Sequence, residues 1–122
     1  MKKILIVDDQ KEIRELLEIS LRKKDFQLLQ VTNAEEAVER TKKEKPDLVI
    51  MDIMMPGKID GLDATRAIKS DPQTQDIKII ILTVKGQDAD KEKGFKAGAD
   101  EYCTKPFKPK KILDLIEKIF KE

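Results

Sequence analysis

Histidine is absent from the 122-residue chain, and so is tryptophan. Without histidine these residues offer no Ser-His-Asp chemistry, no imidazole metal ligand and no phosphohistidine. Cysteine occurs once, at Cys103, which excludes an internal disulfide and a cysteine metal cluster. Its place in a short apolar run points to a buried structural thiol. No apolar run approaches the roughly 18 residues of a membrane span. Charge of one sign is also lacking: 25 basic residues face 24 acidic ones, for a formal net of +1. That balance gives no support to non-specific nucleic-acid binding. Lysine groups such as Lys42 with Lys43, and Lys108 with Lys110 and Lys111, are interspersed with acids and read as solvated helix faces. The N-terminus, Met1-Lys2-Lys3-Ile4, enters a strand pattern at once and carries no cleavable signal, so the expected compartment is the cytoplasm.

What remains is a highly charged chain, 40% charged and 39% hydrophobic, of a length that suits one domain with one real core. Ile4-Leu5-Ile6-Val7 is a short apolar run that ends in Asp8-Asp9. Such runs suit strands buried on both faces of a parallel sheet. Ile13, Leu16, Leu17 and Leu21 then fall at helical spacing. Phe26 to Val31 forms a second, less apolar strand, expected nearer an edge. Asn33 with Glu36 has the form of an N-cap and its partner, followed by a helix through Ala37, Val38 and Thr41. Leu48 to Met51 is the third strand and ends at Asp52. Pro56-Gly57 and Asp60-Gly61 mark a loop, and Leu62, Ala64, Ala67 and Ile68 a helix stopped by Asp71-Pro72. A fourth strand over Ile77 to Leu82 ends at Thr83. A polar helix over Asp88 to Ala97 stops at Gly98. Glu101 to Thr104 is a short fifth strand before Lys105-Pro106. Pro109 opens a last helix with Ile112, Leu113, Ile116, Ile119 and Phe120 on one face.

Five strand–helix units without an interior linker or repeat predict one α/β domain over residues 1–122. Its expected form is a doubly wound, flavodoxin-like sheet of five parallel strands with five helices. A closed eight-unit barrel needs about 250 residues. The strand order expected for this class is 2-1-3-4-5.

Asp8 and Asp9 end strand one, Asp52 ends strand three, Thr83 ends strand four and Lys105 follows strand five. In an open parallel sheet these carboxyl ends share one side, where ligands bind at the reversal of strand order. Clustered carboxylates repel unless positive charge joins them. Lys105 supplies one charge and a hard divalent cation is the natural second. The expected Mg²⁺ ligands are Asp9 and Asp52 directly, Asp8 directly or through water, and the Met54 carbonyl. Each residue alone is unremarkable, since aspartates after strands are often caps or turn formers. The convergence of four strand ends carries the reading.

These residues resemble the receiver domains of bacterial response regulators, including the single-domain chemotaxis type, over essentially the whole chain. The resemblance rests on Ile-Val-Asp8-Asp9, Asp52-Ile-Met-Met-Pro56-Gly57 with Asp60-Gly61, Leu-Thr83, and Gly98-Ala-Asp-Glu-Tyr102-Cys-Thr-Lys105-Pro106-Phe107. It implies that Asp52 is the phosphoryl acceptor and that Asp8 and Asp9 hold Mg²⁺. It also implies that Thr83 and Lys105 bind phosphoryl oxygens, and that Thr83 and Tyr102 form a two-state switch. The implied donor is a histidine kinase or a histidine phosphotransfer protein. The implied output is a protein target on the face of helix four, strand five and helix five, without direct nucleic-acid or membrane contact. No further module is expected after the last helix, so the expected output passes through a partner. The chain is expected to be a switch rather than an enzyme, beyond gaining and losing its own phosphoryl group.

Three positions depart from the commonest pattern. The loop Pro56 to Gly61 carries one extra residue, near Lys58-Ile59. Val84 stands where a small residue is usual and narrows access. Met54 and Lys85 occupy positions that tune the lifetime of the phosphorylated state, and an apolar Met54 would hold an attacking water poorly. Three rivals stay open on the residues alone. A haloacid-dehalogenase-like phosphatase would need an acid where Met54 stands. A flavodoxin-like cofactor binder would need a Ser/Thr/Gly-rich loop after strand one, where Asp8-Asp9-Gln10-Lys11-Glu12 stands instead. A phosphate-independent interaction module is the third.

Overall fold

Each central strand carries apolar side chains in both directions, so each must be covered on both faces. The structure, a computed structural model describing residues 1–22, 24–84 and 88–121, meets this demand with five parallel strands. They are β1 (Lys2–Val7), β2 (Phe26–Val31), β3 (Leu48–Asp52), β4 (Lys78–Val84) and β5 (Glu101–Lys105), in the order β2-β1-β3-β4-β5. The helices are α1 (Lys11–Leu21), α2 (Ala34–Glu44), α3 (Gly61–Ser70), α4 (Asp88–Ala97) and α5 (Pro109–Lys121).

Alternation along the strands splits the core in two. Leu5, Val7, Val49, Met51, Ile79 and Ile81 pack with Ala37 of α2, Ile68 of α3 and Ala97 of α4. Ile4, Ile6, Leu48, Ile50, Ile80 and Leu82 pack with Leu17 and Leu21 of α1 and Ile112, Ile116 and Ile119 of α5. Burying each of these large aliphatic side chains is worth roughly 1.5–3 kcal/mol, which makes the sheet a stiff platform for its loops. β2 lies at an edge, as its mixed polarity suggests.

The helix ends follow local chemistry. The Asn33 side chain accepts the Glu36 amide at 2.8 Å and starts α2. Lys45 ends it in the left-handed region, with φ 48°. Gly98, at φ 110°, closes α4: its N–H donates to Phe95 and the Ala99 N–H to Gly94, the paired bonds of a Schellman motif. β4 begins one residue later than its apolar run, because the Ile77 N–H is used in a turn onto Thr74.

The strand order reverses between β1 and β3, which pair in register from Ile4↔Leu48 to Val7↔Met51. That register sets Asp8 and Asp52 side by side at the carboxyl edge of the sheet.

Candidate phosphoacceptor and metal site

Asp8 is fully buried, Asp52 is 4% exposed and Asp9 is open to solvent. Carboxylate oxygens of the three lie within 4.8 Å of one another. Lys105, at the end of β5, reaches across the sheet edge into this cluster. Its Nζ stands 2.8 Å from Asp8 Oδ2 and 3.4 Å from Asp52 Oδ1, and donates to Gln10 Oε1 at 3.3 Å. The Lys105–Pro106 peptide bond is cis.

The backbone holds each carboxylate in place. Asp8 Oδ1 accepts the Gln10 N–H at 2.8 Å, and Arg14 donates to the Asp8 carbonyl at 2.9 Å. Asp52 Oδ1 accepts the Met54 N–H at 3.3 Å. α3 starts directly against Asp52: a side chain on Gly61 would overlap the Asp52 carbonyl, and the Gly61 N–H donates to the Ile53 carbonyl at 3.1 Å. Asp60 and Asp63 complete the start of α3 by exchanging backbone bonds as a capping box.

Burial pushes the Asp52 carboxyl up from 3.8 to about 7, and the negative charge of Asp8 adds to the rise. Lys105 and the Met54 N–H oppose it without cancelling it. Three carboxylates against one ammonium leave a deficit of two positive charges when all are ionised. Asp8 Oδ2 is buried and, although in charge contact with Lys105, receives no aligned hydrogen bond. An all-oxygen set of three carboxylates, partly balanced by one ammonium and with one exposed side, fits a hard divalent cation that keeps part of its water shell.

The structure thus brings Asp8, Asp9, Asp52 and Lys105 together, with Met54 against Asp52. Thr83 is buried at the end of β4, opposite Thr104 in register, and Val84 is 45% exposed opposite Lys105. Tyr102 is turned to the α4 side of the sheet, half-buried against the core, with Phe95 edge-on at 5.9 Å between centroids. Lys85 lies outside the described residues. Cys103 is buried in the core between β5 and α5, and that burial raises its thiol pKa. A groove of about 630 Å³ opens beside Met54, between Pro56, Leu62, Asp90 and Lys93. Sequence reasoning missed Gln10 and Arg14, whose polar side chains sit in an ordinary first helical turn. Asp60-Gly61, expected within a loop, instead caps and opens α3, as the capping-box spacing of Asp60 and Asp63 allows.

Residues 4–117 match the family model described as the response regulator receiver domain. The chain belongs to this family. Receiver domains are signalling switches of two-component systems. This one is 38% identical over 120 residues to the phosphate regulon transcriptional regulatory protein PhoB of Pseudomonas aeruginosa. That match covers 98% of the chain and 52% of PhoB, so the chain spans about half the length of this curated relative. A Chloroflexus aurantiacus structure described as a response regulator superposes with a TM-score of 0.94 at 34% identity, covering 99% of this chain and 98% of its own. The receiver domain of a Pseudomonas aeruginosa sensor histidine kinase superposes with a TM-score of 0.87 at 28% identity, covering 96% and 95%. That structure holds a magnesium ion in its active-site cleft. Among the described residues of the present receiver domain, no helix is long and apolar enough to cross a membrane.

Proposed function

We propose that this receiver domain takes a phosphoryl group on Asp52 from the phosphohistidine of a histidine kinase or a histidine phosphotransfer protein. The observation that carries this reading is Lys105 Nζ placed between the buried carboxylates of Asp8 and Asp52. A bond forms between an Asp52 carboxylate oxygen and phosphorus as the donor P–N bond breaks. The leaving imidazole takes its electron pair and a proton. Asp52 must be ionised to attack, and Lys105 favours that form. The Lys105 ammonium then pairs with a phosphoryl oxygen, and the Thr83 hydroxyl donates to another.

Asp8, Asp9, Asp52 and the Met54 carbonyl would hold Mg²⁺, which when bound supplies the positive charge that the carboxylates and phosphoryl oxygens require. Inward movement of Thr83 frees space for Tyr102, and the face of α4, β5 and α5 changes shape for a protein target. The near-cancelling charge favours such a target over direct nucleic-acid contact. The cytoplasm suits a kinase-coupled switch. Exposed Met54, at 63%, offers no polar atom from its side chain to position a hydrolytic water, so the phosphorylated form is long-lived.

Intact mass after incubation with acetyl phosphate or phosphoramidate tests this reading. The native chain gains one phosphoryl group with Mg²⁺ and none without it, and Asp52→Asn gains none. If the native chain and Val84→Ala both stay unmodified, even with a cognate kinase, the phosphate-independent interaction module replaces the switch.

A further inference from the structure

The loop from Met54 to Asp60 connects the phosphoacceptor to the cap of α3, and one side chain from a different element grips it. Glu35, in the first turn of α2, points its carboxylate at this loop. Glu35 Oε1 accepts the Lys58 N–H at 3.0 Å and the Ile59 N–H at 3.2 Å. Gly57, at φ 134°, passes so close that a side chain there would meet Glu35 Oε1 at 3.2 Å and Oε2 at 3.3 Å. Two consecutive loop amides therefore converge on one carboxylate oxygen, with Gly57 close against the same carboxylate. The Glu35 pKa lies below the ordinary glutamate value, because its own N–H and those of Ile59 and Lys58 all favour the charged form.

The other end of the same loop is also fixed. The Asp60 capping box and the Gly61 bond to the Ile53 carbonyl tie it to α3 and β3. Between these anchors, the backbone N–H groups of Lys58 and Ile59 are held by Glu35 of α2, and that segment holds the extra residue near Lys58-Ile59. Without its partner the backbone N–H groups of Lys58 and Ile59 would lose their acceptor, and the slack would pass back toward Met54.

We infer that Glu35 is a positioning residue for the metal site: it clamps residues 57–59 so that the Met54 segment is held in its ligand-presenting course. This rests on the reading of Met54 as a ligand through its carbonyl. Groups that orient ligands without touching the ion commonly govern about 10- to 100-fold in metal affinity.

The test uses the full chain in three forms: native, Glu35→Ala and Glu35→Gln. Mg²⁺ affinity is measured by calorimetry, and amide hydrogen exchange of Lys58 and Ile59 by NMR without metal. Glutamine keeps the accepting oxygen and should bind Mg²⁺ within about threefold of native, whereas alanine should weaken it about tenfold. Alanine should also strip exchange protection from both amides, while melting in EDTA stays close to native. Should Glu35→Ala not fold, Gly57→Ala disturbs the clamp from the loop side and should weaken Mg²⁺ alike. A variant that loses protection at both amides yet binds Mg²⁺ like the native chain overturns the inference and leaves the metal site standing. A native chain that binds no Mg²⁺ overturns the metal reading itself, and the positioning role with it.

Discussion

Lys91 Nζ lies 4.2 Å from the centroid of the Tyr102 ring. The ammonium sits over the ring face while Phe95, one turn further along α4, meets it edge-on. α4 therefore holds the aromatic on two sides, by cation–π attraction and by aromatic packing.

This arrangement makes the position of Tyr102 depend on Lys91. The chain has one tyrosine and no tryptophan, so its intrinsic fluorescence reports on this ring alone. Lys91→Ala should increase acrylamide quenching of that fluorescence. Quenching unchanged in the variant would show that Phe95 and the core hold the ring without the lysine.

Metal-free stability should depend on pH through Asp52. Its carboxyl is raised from 3.8 to about 7, so the folded state binds the proton more tightly than the unfolded chain. The stability this confers is complete below about pH 4 and is lost as pH rises through about 7. In EDTA, Tm should be higher at pH 5.5 than at pH 8. Asp52→Asn should remove most of that dependence and raise Tm at pH 8 by about 4 °C, for roughly 1 kcal/mol. A flat Tm between these pH values in the native protein would contradict the burial and Asp8 repulsion assigned to Asp52.

Lys105→Ala leaves the buried carboxylates of Asp8 and Asp52 without their ammonium. Removing one partner of a buried ion pair costs about 3 kcal/mol. The loss should appear at pH 8 by urea unfolding and shrink near pH 5, where Asp52 protonates. Added Mg²⁺ should restore part of it. A loss equal at both pH values would mean that packing of the lysine stem, not charge, is what the variant removes.

Gly94 places α4 directly on β4, because a side chain there would overlap Ile81 Cδ1. Gly94→Ala should therefore destabilise by about 1–3 kcal/mol despite the better helix propensity of alanine. Ile81→Val removes that methyl and costs about 1 kcal/mol by itself. Combined, the two should be clearly less destabilising than their sum, a coupling that a double-mutant cycle in urea measures. Simple additivity would place the clash elsewhere.

The strands and helices were legible in the sequence, because burial on two faces demands apolar runs and burial on one face demands helical spacing, while the order of strands in the sheet was expected from the fold class. The residues that end those runs, Asp8, Asp9, Asp52, Thr83 and Lys105, could be assigned to one edge for the same reason: parallel strands share a direction. Two helix starts show the limit. Asn33 announces α2 by its type and spacing, whereas the Asp60 cap was hidden beside a Gly that also marks turns. Only the tertiary structure decided which atoms meet. Lys105 reaches Asp8 and Gln10 because parallel pairing brings β5 to the end of the sheet with its side chain directed inward. Glu35 grips Lys58 and Ile59, and Lys91 covers Tyr102, through contacts between separate elements. Such contacts depend on rotamers and helix placement, which no local period encodes, while the fold depends on the pattern of burial, which the order of residues states directly.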